Sequence, residues 1–74
     1  LQRNAGLRVK ALRAASGLSQ GRFSRKIGMN RPYLASIEFG GRNVTLQNLA
    51  KIANGFDMTL SEFFEGIPRI DPRE

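Results

Sequence analysis

A chain of 74 residues is one small domain, and 41% apolar with 24% charged residues suits an ordinary globular core under a polar surface. The absence of Cys removes disulfide and thiolate chemistry, and without His as well a zinc site is poorly supplied with ligands, so no metal or cofactor is expected. The net charge of +6 is one-sided: residues 1–42 carry nine basic residues against Glu38, whereas residues 43–74 carry three against five acids. That is the footprint of a polyanion partner, or else of a solvated basic face. No stretch is apolar enough to span a bilayer and no secretory signal is visible, so no membrane role and a cytoplasmic location are expected.

Helix 1 is expected from Asn4 or Ala5 to Ser16, with Leu7, Ala11 and Ala15 at four-residue spacing and Leu12 beside them. Lys10 and Arg13 share the other side, and Arg8 falls near the apolar arc. Gly17 closes the helix and Leu18 follows as an anchor. Ser19 can cap helix 2, Gln20 to Ile27, whose Gln20, Phe23, Ser24 and Ile27 share a core-facing arc. Gly21, Arg22, Arg25 and Lys26 fill the opposite arc; Gly21 either permits a close approach or is incidental.

Gly28 ends that helix, Asn30 can cap the next, and Pro32 falls in a first turn, where a missing N–H costs nothing. Helix 3 follows from about Arg31 to Phe39, with Tyr33, Leu34 and Ile37 inward and Arg31, Pro32, Ala35 and Ser36 outward. Two helices joined by a short turn containing Gly, here residues 20–39, form the helix-turn-helix unit, whose second helix enters the DNA major groove.

After Gly40-Gly41 and a short loop, Thr45 caps helix 4, Leu46 to Asn54, with Leu46, Leu49, Ala50 and Ala53 on one face and Gly55 ending it. Thr59 and Glu62 form a capping box that opens helix 5, which runs to about Glu65 and is stopped by Gly66 and Pro68. The fold expected is all-α, a compact five-helix bundle over residues 1–66, followed by an extended or disordered tail at 67–74. Its expected core is Leu12, Leu18, Phe23, Ile27, Leu34, Ile37, Leu46, Leu49, Ile52, Phe56, Leu60 and Phe63.

Leu18-Ser19-Gln20, the turn Gly28, Ile37-Glu38 and the run Gly41-Arg42-Asn43-Val44-Thr45-Leu46 together resemble the Cro/C1-type (XRE) DNA-binding domains of the lambda-repressor-like fold, over about Leu7 to Phe64. The last run is similar to restriction–modification controller proteins and other small bacterial regulators. Two positions depart from the family pattern: Ser24 replaces a small apolar residue, and Phe39 replaces a polar residue beside the DNA backbone.

The resemblance implies a homodimer that binds double-stranded DNA at a short palindromic operator. It places phosphate contacts at the helix 2 start (Ser19, Gln20), at Tyr33, and in the loop at Arg42 and Asn43. It places base readout on Asn30, Arg31, Pro32 and Ser36. Arg31, near a helix start on the outward arc, can present paired donors to guanine, the Pro32 ring can meet a thymine methyl, and Ser36 specifies weakly. The resemblance also implies an ion pair between Arg13 on helix 1 and Glu38 at the end of helix 3.

Three regulatory settings compete: a restriction–modification controller, a phage-type or metabolic repressor, and an antitoxin. An effector domain or protein partner beyond the tail is a further possibility. The rival from another class is a protein-interaction module presenting Phe64, Ile67 and Ile70. An enzyme is the weakest reading, with no His, no Cys and no phosphate-cradling Gly-rich loop.

Overall fold

The computed structural model describes residues 2–67. Among them are five α-helices: α1 Gln2–Ser16, α2 Gln20–Lys26, α3 Arg31–Phe39, α4 Leu46–Gly55 and α5 Leu60–Glu65. The starts of α2 to α5 are written in single residues. Ser19, Asn30, Thr45 and Thr59 each hold an extended backbone, and each side-chain oxygen accepts the N–H three residues on. This satisfies a donor that a helix start otherwise leaves orphaned. Gly17, Gly28 and Gly40 then turn the chain with φ of 71°, 68° and 83°, backbone that a Cβ disfavours.

The buried cluster comprises Val9, Phe23, Leu34, Ile37, Leu49, Ile52, Ala53 and Phe63, with Leu12, Leu18, Ile27, Phe56 and Leu60 packed against it. Phe23 and Phe56 stack with ring centroids 4.3 Å apart. Buried Ser24 donates its hydroxyl to the Gly21 carbonyl at 2.9 Å, so the polar substitution carries its own partner into the interior.

Helix α1 differs from expectation. It starts at Gln2 and turns Ala5 and Val9 inward, leaving Leu7 54% exposed and Ala11 and Ala15 in solvent. The cause is Gly6. A Cβ there would collide with the Ile37 carbonyl oxygen and stand 2.9 Å from that of Glu38. The α1–α3 crossing is thus closest at the glycine, and rolling α1 to bring Gly6 against α3 carries Leu7 out. The same roll turns Arg13 inward, away from Lys10, and brings half-buried Arg8 against α5. Arg8 Nε and Nη2 donate to the carbonyls of Phe63 (3.0 Å) and Glu62 (3.2 Å), supplying partners to the end of that helix.

Two further expectations are corrected. Leu46 is 68% exposed, because at the first position of α4 it falls outside the face set by Leu49, Ile52 and Ala53. Gly55 does not end α4 but is its last residue, and it is buried. A Cβ there would stand 2.5 Å from Ile27 Cγ2 and 2.9 Å from Phe23 Cε1, while the left-handed turn falls on Asp57 (φ 57°). The expected tail, including Ile70, lies outside the described residues apart from Ile67.

Gly21 is different from Gly6. A Cβ there would meet only ordinary contacts, the nearest at 3.7 Å from Arg25 Nη1. Gly21→Ala is therefore expected to stabilise the fold by up to about 1 kcal/mol, and Gly6→Ala to destabilise it by about 1–3 kcal/mol; urea unfolding of both variants checks the contrast. In the capping box, Glu62 Oε1 accepts the Thr59 N–H at 2.9 Å, and the Glu62 N–H donates to Thr59 Oγ1 at 3.0 Å. The Thr59 backbone bond first, then its side chain, holds the Glu62 carboxyl below its ordinary range. A lowered carboxylate pKa adds stability that is complete above the unfolded-state value and fades as pH falls through the folded one. Glu62→Gln is expected to reduce that acid-side loss, as read from melting temperature against pH.

Candidate nucleic-acid interface

The local sequence gives α3 two unlike ends. At its start, Asn30 Oδ1 accepts the Tyr33 N–H at 3.3 Å, and Arg31 and Pro32 stand exposed. At its far end, Leu34 and Ile37 are buried and Glu38 is only 6% exposed. Arg13 Nε donates to Glu38 Oε2 at 2.7 Å and Arg13 Nη2 to Oε1 at 2.9 Å, a bidentate fork. Gln20 Nε2 adds a third donor to Oε1 at 3.1 Å, and Arg13 Nη1 reaches the Leu18 carbonyl at 2.9 Å. The carboxylate raises the Arg13 pKa above its ordinary value, so the guanidinium stays charged. Gln20 and Arg13 therefore grip α3 from α2 and α1 at one carboxylate.

A second cluster forms on the other flank of α3. The Tyr33 hydroxyl accepts from Asn48 Nδ2 at 3.0 Å, and the Arg42 guanidinium lies 5.0 Å from the Tyr33 ring centroid. Ser36 Oγ donates to the Tyr33 carbonyl at 2.8 Å and accepts from Arg42 Nε at 3.1 Å. Arg42, expected on the DNA backbone, is thus folded onto the outer face of α3, where a cation–π contact and one hydrogen bond hold it. Ser36 is half-buried with its hydroxyl committed on both sides.

Sequence reasoning missed Asn48. Its signal was its place three residues after the Thr45 cap, where a capping box would hold Glu or Gln and a side chain can turn back over the helix start.

The remaining expected residues are placed as follows. Ser19 is exposed, its Oγ accepting the Arg22 N–H at 3.1 Å. Asn43 is exposed in the loop beside Arg42. Arg22 and Arg25 point to solvent, whereas Lys26 Nζ donates to the Gly55 carbonyl at 2.8 Å and ties the end of α2 to that of α4. Phe64 and Ile67, the expected interaction surface, are half-buried against the core. Among the described residues no group of His, Cys, Asp and Glu could hold a metal ion, and no helix is long and apolar enough to cross a membrane.

A short helix capped at its turn, anchored at its far end and exposed along its leading edge defines a helix-turn-helix module. The helix-turn-helix family HTH_3 matches residues 9–63, and the chain belongs to this Cro/C1-type (XRE) family. It is 46% identical over 65 residues to the control protein C.MunI from Mycoplasma sp, covering 86% of this chain and 88% of that one. It is similar to the crystal structure of the restriction-modification controller protein C.AhdI from Aeromonas hydrophila, with 38% identity and a TM-score of 0.81 over 85% of this chain and 96% of that one. It is also similar to the controller C.Esp1396I, solved as a tetramer in complex with its natural 35 base-pair operator, with 28% identity and a TM-score of 0.80 over 86% and 84% of the two chains.

Arg13→Ala is expected to cost about 3 kcal/mol or more, because it strands a buried carboxylate. A double-mutant cycle with Glu38→Ala, read by chemical denaturation, is expected to return a large coupling energy, with the double variant less destabilised than the sum of the two singles.

Proposed function

We propose that the chain is a sequence-specific, double-stranded-DNA-binding transcriptional regulator of the restriction–modification controller type. It acts in the cytoplasm, on nucleoid DNA, as a homodimer at a palindromic operator. The observation that carries this reading is the exposure of Arg31 and Pro32 at the start of α3, on a helix whose other end is fixed by Arg13 and Gln20. The kinship with C.MunI, C.AhdI and the operator-bound C.Esp1396I supports it.

Each α3 enters a major groove, and the two half-sites lie about 34 Å apart, one helical turn. Arg31 presents parallel donors to guanine O6 and N7, and the Pro32 ring packs on a neighbouring thymine methyl. Asn30 fixes the helix start over the bases, and Ser36 reads little because its hydroxyl is already committed. Backbone amides at the starts of α2 and α3, with Ser19, Gln20, Tyr33, Arg42 and Asn43, meet phosphate oxygens and set the register. Arg22 and Arg25 add attraction that salt screens. The reaction is binding alone, with no chemical step.

Selection of bound duplexes from a random pool tests this reading, and a palindrome with one fixed half-site spacing is the expected result. Arg31→Ala is expected to lose discrimination at one base position per half-site, worth about 1–3 kcal/mol. Arg42→Ala is expected to weaken binding to all sequences alike and to lower the salt dependence. Titrations of matched and mismatched duplexes at several salt concentrations separate the two roles.

A further inference from the structure

Phe39 is 87% exposed at the last position of α3, and Leu7 is 54% exposed on the facing side of α1. Together they wall an open groove of about 300 Å³ whose other lining residues are Lys10, Gln20, Ala35 and Glu38. The only acid in the groove is Glu38, and its oxygens are taken by Arg13 and Gln20. What the groove offers a partner is therefore one ammonium group, one amide and two apolar walls.

The position of the groove points to its occupant. Arg31, Ala35 and Phe39 follow one another at four-residue steps, one stripe along α3. Phe39 stands about 12 Å along the axis from Arg31, close to the roughly 12 Å width of the B-DNA major groove. A helix whose start reads bases thus carries Phe39 up to the groove wall, beyond the reach of the same bases. The opposite flank of α3 holds Arg42 and Tyr33, while Gln20, expected on phosphate, opens into this groove.

Resting on the proposed DNA-binding function, we infer that the α1–α3 groove seats the second strand of the operator backbone. Lys10 pairs with a phosphate, and the Phe39 ring packs on the apolar face of the adjoining deoxyribose. Arg42 and Asn43 hold one strand, and Gln20, Lys10 and Phe39 hold the other. Phe39, where the family pattern has a polar residue, supplies the sugar contact, and Lys10 on α1 supplies the charge. The seat carries no base information, so it adds affinity without changing the sequence preferred.

The test is titration of the selected operator duplex at several salt concentrations, with oligomeric state measured alongside by analytical ultracentrifugation. Lys10→Ala is expected to weaken binding severalfold, to reduce the slope of log K against log salt by about 0.9 per half-site, or about 1.8 for the dimer, and to leave base preference unchanged. Lys51→Ala, on the exposed side of α4, is the control and is expected to keep the parental slope. Phe39→Ala is expected to weaken binding severalfold with the slope retained, since a sugar contact releases no counterion. Lys10 and Phe39 are both exposed, so thermal melts of these variants are expected to match the parent. Parental binding by both variants overturns the groove and leaves the function standing. A Phe39→Ala variant with parental operator binding but altered self-association assigns the groove to a second copy and overturns the inference. A parent that binds no duplex overturns the function and the groove together.

Discussion

Glu38 is the single acid among the first 42 residues, and its side chain is 3% exposed. Removing a carboxylate from water costs several kcal/mol unless its lone pairs are filled, and here three donors from two helices fill them. The arrangement specifies position more than it adds stability. A well-shaped apolar pair at the same place can be as stable, but it would tolerate sliding, whereas a planar fork meets a carboxylate in one orientation. With Arg13 held also by the Leu18 carbonyl, the carboxylate fixes α3 against α1 and against the start of α2 at once. Gly6 is the steric half of the same device, because the backbones must approach before the fork can close.

Anchoring one end of α3 leaves the other end free for work. The start of the helix exposes Arg31 and Pro32, while the hydroxyls of Tyr33 and Ser36 are occupied by Asn48, Arg42 and the helix backbone. An unbound surface whose polar groups are already paired has less to reorganise on binding, and each ordered side chain spares part of the entropy lost at an interface. Arg42 shows this most clearly. Its Nε and one ring-facing side are used within the protein, and the planar group is held in place before any partner arrives.

The legibility of the sequence followed the range of the interaction. Helix starts were readable because a cap is a three-residue event, and Ser19, Asn30, Thr45 and Thr59 each cap as their chemistry implies. The fold class and the family were readable because the turn glycine, the apolar steps around it and the Glu38 position all lie within one short stretch. The register of α1 was not readable. Leu7, Ala11 and Ala15 make a plausible apolar stripe, but Gly6, which an apolar stripe does not register, sets the contact face, and two arginines with half-buried stems complete it. The role of Gly55 was hidden for the same reason: whether a glycine ends a helix or lets Phe23 and Ile27 approach is decided by residues about 30 positions away. In the candidate site, single residues were legible and their pairings were not. Arg42 was visible as a cation beside the recognition helix, but its contact with Ser36 depends on the path of a loop that turns at Gly40.

The two kinds of exposed residue on α3 carry different burdens. Arg31 is soluble where it stands, and its exposure costs the free protein little. Phe39 is not: an 87% exposed aromatic ring forgoes burial worth roughly 1.5–3 kcal/mol, and it sits beside Leu7, which α1 turned outward to accommodate Gly6. One exposed apolar residue on a small domain requires no explanation. Two that face each other across a groove holding the Lys10 ammonium, at the far end of the helix proposed to read the bases, are both covered by the occupant inferred above. A nucleic-acid strand meets both demands of that groove, because its sugars are apolar on one face and its phosphates are anionic, and a helix about as long as the major groove is wide reaches it without leaving the bases.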